Sequence, residues 1–228
     1  MAAATIISGA RVERIPAKLL LGEGALWAPR LNRFLLVNIH GKAAYTLDHV
    51  TGELTAFPLP EQVGTIVLRA PSAARAGSGE QALVALRSGL AVLDLGSGAV
   101  TRLPGAPAEP AGNRYNDGKC SPEGRLWVGT MEDATFSAGV GSLYVVDPAA
   151  DDAAAAAPPP LRKVLGGVTI SNGLAWSPDG RTMYYIDTPR SDVQVRRGKR
   201  AGAPPARAWH GLTPTHPYPA RALLSHPP

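Results

Sequence analysis

Two short elements recur in step along the first 187 residues, and nothing else in the chain constrains the fold as tightly. The first is an apolar run closed by aspartate: Tyr45–Asp48, Ala91–Asp94 and Tyr144–Asp147. These aspartates lie 46 and 53 residues apart, and each opens a turn rich in glycine or proline. After Asp48 and Asp94 the turn leads into another apolar run, which is the pattern of a β-hairpin. The second element is a proline-led turn, a basic residue and a strongly apolar strand. It appears from Pro29 to Asn38, from Pro122 to Thr130 and from Pro178 to Asp187, with a degenerate copy between Pro71 and Leu86. Two elements in counterpoint, with four strands per repeat of about 40–50 residues, predict a β-propeller. An all-β sandwich could hold the same strands, but it gives the two elements no reason to keep step. A βαβ arrangement fails, because no stretch of ten residues carries capped 3.6-residue periodicity.

The repeat accounts for about four blades at roughly 47 residues each and fades near Val195. Charge shifts at the same place. From Thr188 onward there are seven basic residues and one acid, against sixteen and seventeen before it. The formal charge of +5 therefore resides in the last stretch, and the body offers no basic face to a nucleic acid. We divide the chain into a folded unit over 15–195 and a proline-rich basic tail over 196–228, which we expect to be disordered and unpaired. Asp151 to Pro160 reads as an extended surface loop. No apolar run reaches the roughly 18 residues of a membrane helix, so no membrane partner is expected. The opening residues show no secretory signal. The single cysteine, Cys120, excludes an internal disulfide framework and a cysteine-rich zinc site. Together these features give a cytoplasmic expectation.

Polar residues at the ends of propeller strands converge on the central channel from different blades. Glu23, Asn116 and Asn172 each lie just before or at such a strand. One carboxylate and two amide oxygens suit a hard divalent cation: Ca, Mg or Mn, with Zn possible but not selected. Each residue also has a plainer reading. Glu23 fits a solvated turn, Asn116-Asp117-Gly118 fits a tight turn, and Asn172-Gly173 fits a hairpin turn. His40, next to a strand end, has a mouth-facing reading but reads more simply as a surface residue; Cys120 reads as half-buried and inert, and Trp27, Trp127 and Trp176 as core.

Five segments, Leu21–Trp27, Asn113–Lys119, Ser121–Met131, Gly141–Pro148 and Ile170–Thr188, stand in an order that resembles the regucalcin, senescence-marker and gluconolactonase family of six-bladed propellers. The resemblance covers about 19–195. It implies metal-dependent hydrolysis of sugar lactones, with Glu23 and Asn172 as metal ligands. It implies substrate contacts from Arg114 and Asn116, the latter also near the metal, and a loop-holding role for Asp117. A substrate-contacting acid of the family falls just after Gly129-Thr130-Met131; ungapped alignment puts it near Ala134, so neither Glu132 nor Asp133 is a secure match. Ala25 stands where the family usually has proline. The aspartate that serves this family as third ligand and general base falls in a later blade, so an incomplete propeller with impaired turnover is expected. A non-catalytic remnant or splice form, and an interaction module, remain as alternatives.

Overall fold

The computed structural model describes residues 14, 17–71, 79–147, 161–190 and 192–197, and the backbone of 210–212. These residues form sixteen strands and contain no helix; no helix is therefore long and apolar enough to cross a membrane. The strands make four antiparallel sheets, each running outward from its first strand. The first sheet holds β1 (Gly22–Ala28), β2 (Arg33–Asn38), β3 (Ala43–Asp48) and β4 (Leu54–Pro58). The second holds β5 (Val63–Leu68), β6 (Gln81–Leu86), β7 (Gly89–Asp94) and β8 (Val100–Arg102). The third holds β9 (Asn113–Cys120), β10 (Leu126–Glu132), β11 (Gly141–Val146) and β12 (Arg162–Val168). The fourth holds β13 (Ser171–Trp176), β14 (Thr182–Asp187), β15 (Val193–Arg197) and β16 (His210–Leu212). This is an all-β, four-blade propeller arrangement, with β1, β5, β9 and β13 innermost.

The repeats seen in sequence are the second and third strands of the blades, and hydrogen bonding explains why they recur. Asp48 Oδ1 accepts the N–H groups of Val50 and Thr51 at 2.9 and 3.0 Å. Asp94 Oδ1 does the same for Gly96 and Ser97 at 3.1 and 2.7 Å. These backbone donors hold both carboxyls below the ordinary aspartate range. Gly52 and Gly98, at φ of 71° and 75°, then complete the hairpins. The two elements keep step because they touch. Arg33 pairs with Asp48 at 3.7 Å, and Arg125 with Asp147 at 2.7 Å. The degenerate copy is β6, which pairs with β7 as β2 pairs with β3.

Burial alternates along the middle strands because successive side chains face opposite neighbours. In β10, Leu126 and Val128 pack towards the second sheet with Val67, Tyr115 and Tyr144. Trp127, between them, packs towards the fourth sheet with Leu174, Met183 and Tyr185. A third cluster, including Leu35, Val37, Ile66 and Leu93, joins the first two sheets. Trp127 is core as expected, but Trp27 is 38% exposed. It lies on the outer face of the first sheet against Phe34 and His49, with ring centroids at 4.8 and 5.0 Å.

The end of the second strand anchors the entry to the innermost one. Asn38 Oδ1 accepts N–H groups of Leu20, Leu21 and Gly41. Asp187 does the equivalent for Thr169 and Ile170, just ahead of β13, with a shortest contact of 2.8 Å. Asp187 is 3% exposed. Replacing it with alanine would strand two backbone donors at a cost of about 2 kcal/mol. Chemical denaturation of Asp187→Ala, with an unchanged slope, checks this.

The expected end of pairing near Val195 is too early. Arg196 and Arg197 pair with Met183 and Thr182, and β16 adds to β15. A three-residue outer strand has no room for the period-2 alternation by which strands are read, so sequence could not show it. The rest of the expected tail, 198–209 and 213–228, and the loop at 151–160 lie outside the described residues.

Candidate functional site

Each of the four innermost strands breaks register with its neighbour once. The extra residues fall at Gly24-Ala25 in β1, Gly64 in β5, Asn116-Asp117 in β9 and Gly173 in β13. A β-bulge re-aims the side chains beside it, and Glu23, Asn116, Asp117 and Asn172 all lie at or next to one. The Asn116-Asp117-Gly118 and Asn172-Gly173 segments are thus strand bulges rather than turns. Gly24 and Gly173 supply the positive φ, 63° and 33°.

Arg114 organises the polar side of β9. It is 3% exposed. Its Nη1 donates to Asn116 Oδ1 at 2.7 Å and to the Tyr115 carbonyl at 3.1 Å. Its Nε donates to the Asp133 carboxylate in a close ion pair. Asn116 Nδ2 donates in turn to the Ser171 carbonyl at 2.8 Å, which ties β9 to β13 immediately before Asn172. On the other side, Gln62 Nε2 donates to Asp133 Oδ2 at 2.7 Å and lies 3.0 Å from His40 Nδ1. One polar network therefore reaches from the first sheet to the fourth.

The second part of the site is acidic. Asp117 is half-buried, and burial raises its carboxyl above the ordinary range. The neighbouring Glu23 carboxylate pushes it the same way, against the N–H groups of Gly118 and Gly173. Asp117 is thus placed between β1 and β13 as well as holding its own loop. Glu23 is exposed. Asn172 Nδ2 donates to Thr188 Oγ1 at 3.0 Å, and its Oδ1 accepts the Gly173 N–H at 3.2 Å.

These donors fit a hard cation. Glu23 and Asp117 bring two carboxylates whose mutual repulsion a cation would relieve, and the Asn172 oxygen keeps a second lone pair. The Asn116 oxygen faces the Arg114 guanidinium instead. Among the described residues no three His, Cys, Asp or Glu side chains form a cluster, so such an ion would draw on amide oxygen and water as well.

The mouth also contains one residue that sequence reading passes over, Gln62. Gln62 belongs to neither repeat. His40 reads as an ordinary surface residue but contacts Gln62. Of the two acids after Met131, Asp133 is the one that meets Arg114. Glu132 accepts the N–H groups of Ala134 and Thr135 at 2.9 and 2.6 Å, and these bonds pull its carboxyl down to about 2. Glu132 is a loop brace.

Residues 21–214 match the SMP-30/gluconolactonase/LRE-like region. The chain belongs to this family. Among its relatives, chicken (Gallus gallus) regucalcin is 32% identical over 172 residues, covering 74% of this chain and 52% of the relative. A 6-deoxy-6-sulfogluconolactonase of Pseudomonas putida is 33% identical over 172 residues, covering 75% and 52%. The structure of a calcium-binding regucalcin of Agrobacterium tumefaciens superposes with a TM-score of 0.70 at 26% identity, covering 86% of this chain and 60% of that one. The chain thus spans about half the length of the curated relatives it matches. The family includes sugar lactonases.

Proposed function

We propose that the mouth binds a divalent cation and a sugar lactone, and that its chemistry is lactone hydrolysis. The convergence of Glu23, Asp117 and Asn172 beside the Arg114–Asn116 pair carries this reading, and the names of two relatives as lactonases support it. Glu23, Asp117 and Asn172 would hold the cation, Ca, Mg, Mn or Zn, which when bound supplies Lewis-acid polarisation of the lactone carbonyl. Arg114 spends three of its five N–H donors on protein acceptors, leaving the Nη2 pair for a ring oxygen or hydroxyl. Asn116, fixed by Arg114 and by the Ser171 carbonyl, orients the sugar from the same side. Asp133 holds the guanidinium in place.

The base implied by the resemblance has no assigned position in this chain, and a general base is worth about 10²–10⁴ in rate. We therefore expect slow turnover by this chain alone. The test is gluconolactone hydrolysis with Ca²⁺, Mn²⁺ or Zn²⁺, corrected for spontaneous opening. The expected result is weak, cation-dependent turnover, more than about tenfold below a full-length relative, and lost in Asn172→Ala. Turnover that ignores the cation, or that survives Asn172→Ala, overturns the assignment.

A further inference from the structure

The Gln62 side chain bonds to three of the four sheets at the mouth. The residue stands just before β5, and its carbonyl accepts the Arg87 N–H at 2.8 Å as the chain leaves β6. The other three sheets make the same backbone bond, Leu21 with Ile39, Gly112 with Asp133 and Ile170 with Thr188. Leucine, glycine and isoleucine carry no side-chain hydrogen-bonding group, so of these four places only that of Gln62 can reach across to its neighbours. Nε2 of Gln62 donates to Asp133 Oδ2 at 2.7 Å, beyond β10, and lies 3.0 Å from His40 Nδ1, beyond β2. Its Oε1 accepts from Arg87 Nη1 at 3.0 Å, beyond β6.

Two charged neighbours fix which way round this amide sits. The Asp133 carboxylate only accepts, and the Arg87 guanidinium only donates. Turning the amide over would set its oxygen against the carboxylate and its NH₂ group against the guanidinium, and both bonds would be lost. Nε2 therefore faces Asp133, and its second N–H falls to His40. His40 Nδ1 must then accept, which places the ring proton on Nε2. With Oδ2 held by Gln62, the Asp133 carboxylate turns Oδ1 to Arg114 Nε. A carboxylate pinned at one oxygen cannot rotate freely, so the guanidinium it grips is held as well. The Arg114 Nη2 pair, the donors left for a substrate, is aimed by this chain of bonds.

We propose that Gln62 is a positioning residue for the Arg114 guanidinium, acting by donation to Asp133, and that it thereby sets the affinity of the mouth for a lactone. The affinity rests on the lactone reading; the positioning does not. Two variants separate donation from packing. Gln62→Ala removes the donor, whereas Gln62→Glu keeps the shape and turns a second carboxylate towards Asp133. In gluconolactone hydrolysis with Ca²⁺, Gln62→Ala should raise KM about fivefold, the worth of one hydrogen bond, and leave kcat within about twofold. Gln62→Glu, though isosteric, should raise KM by more than about tenfold, because like charges now meet. NMR of the isotope-labelled full chain reads the same contacts without turnover. At about pH 8, His40 Nδ1 should be free of its proton in the natural chain and should carry one in Gln62→Glu. The Arg114 Nε–H should exchange with water at least about fivefold faster in both variants. The proposal is overturned by an unchanged KM in Gln62→Glu, by a proton on His40 Nδ1 in the natural chain, or by an Arg114 Nε–H as protected in both variants as in the natural chain. A natural chain without cation-dependent turnover overturns the lactone reading instead, and the Arg114 exchange rate then decides the role of Gln62.

Discussion

Gly64→Ala should destabilise the protein by about 3 kcal/mol, a loss of roughly 6–12 °C in unfolding temperature for a chain of this size. A Cβ at Gly64 would lie 2.4 Å from the Tyr115 carbonyl oxygen, 2.5 Å from its carbon and 2.6 Å from the Asn116 carbonyl oxygen. All three are backbone atoms of β9, so no side chain can swing aside to make room. The strands must part, and β5 against β9 is the seam between the second and third blades. Thr65 Oγ1 donates to the Gly118 carbonyl across that seam at 2.9 Å, and Tyr115 and Tyr144 pack beside it. The damage should reach the mouth, because the displaced Tyr115 carbonyl also accepts from Arg114. Gly79→Ala is the control. Among the described residues its Cβ would meet nothing closer than Asp94 Oδ2 at 3.6 Å, so its stability should stay within about 0.5 kcal/mol. Thermal unfolding of both variants decides the matter, and a Gly64→Ala protein as stable as Gly79→Ala would show that the blades are not in contact there.

The seam also explains what sequence could and could not reveal. The blades were legible because their repeats encode local contacts: Asp48 and Asp94 cap their own hairpins, and Arg33 and Arg125 meet the aspartate of the next strand. These bonds join residues close in sequence, so they leave a periodic trace. The bulges leave none. Asn116-Asp117-Gly118 has turn chemistry on local grounds, and only the packing of β9 between β5 and β13 makes it strand. Glu23 and Asn172 were singled out as strand-end residues and by family resemblance, whereas the placement of Asp117 between them depends on two neighbouring blades. Gln62, and the contact His40 makes with it, leave no trace for the same reason: their partners lie in other sheets, and neither residue type is unusual where it stands. Asp133 and Glu132 are adjacent acids beyond the regular alternation of β10, so spacing could not separate the network member from the loop brace.

Asp133→Ala should cost about 3 kcal/mol, because removing one partner of a buried ion pair strands the other. The Arg114 and Asp133 side chains are only 3% and 13% exposed. Without the carboxylate, the guanidinium keeps two neutral acceptors, the Tyr115 carbonyl and Asn116 Oδ1, and Gln62 Nε2 loses an acceptor too. Removing both charges should do less harm: Arg114→Met combined with Asp133→Leu should be closer to the natural chain than Asp133→Ala, since no charge is left stranded. The pH dependence follows from the same contacts. Burial alone would raise the Asp133 carboxyl, but hydrogen bonds from Arg114 and Gln62, with the charges of Arg114 and His40, hold it below its ordinary value of 3.8. A depressed folded-state pKa contributes stability that is fully present above the unfolded value and is lost as the pH falls through the folded one. The gap between the natural chain and Asp133→Ala should therefore be constant above about pH 5 and should narrow as the pH drops below about 4. Denaturation curves of both proteins across that range measure it. A gap that stays constant into strong acid would mean that Asp133 acts by packing, and that the charge pair at the centre of the mouth contributes nothing to its stability.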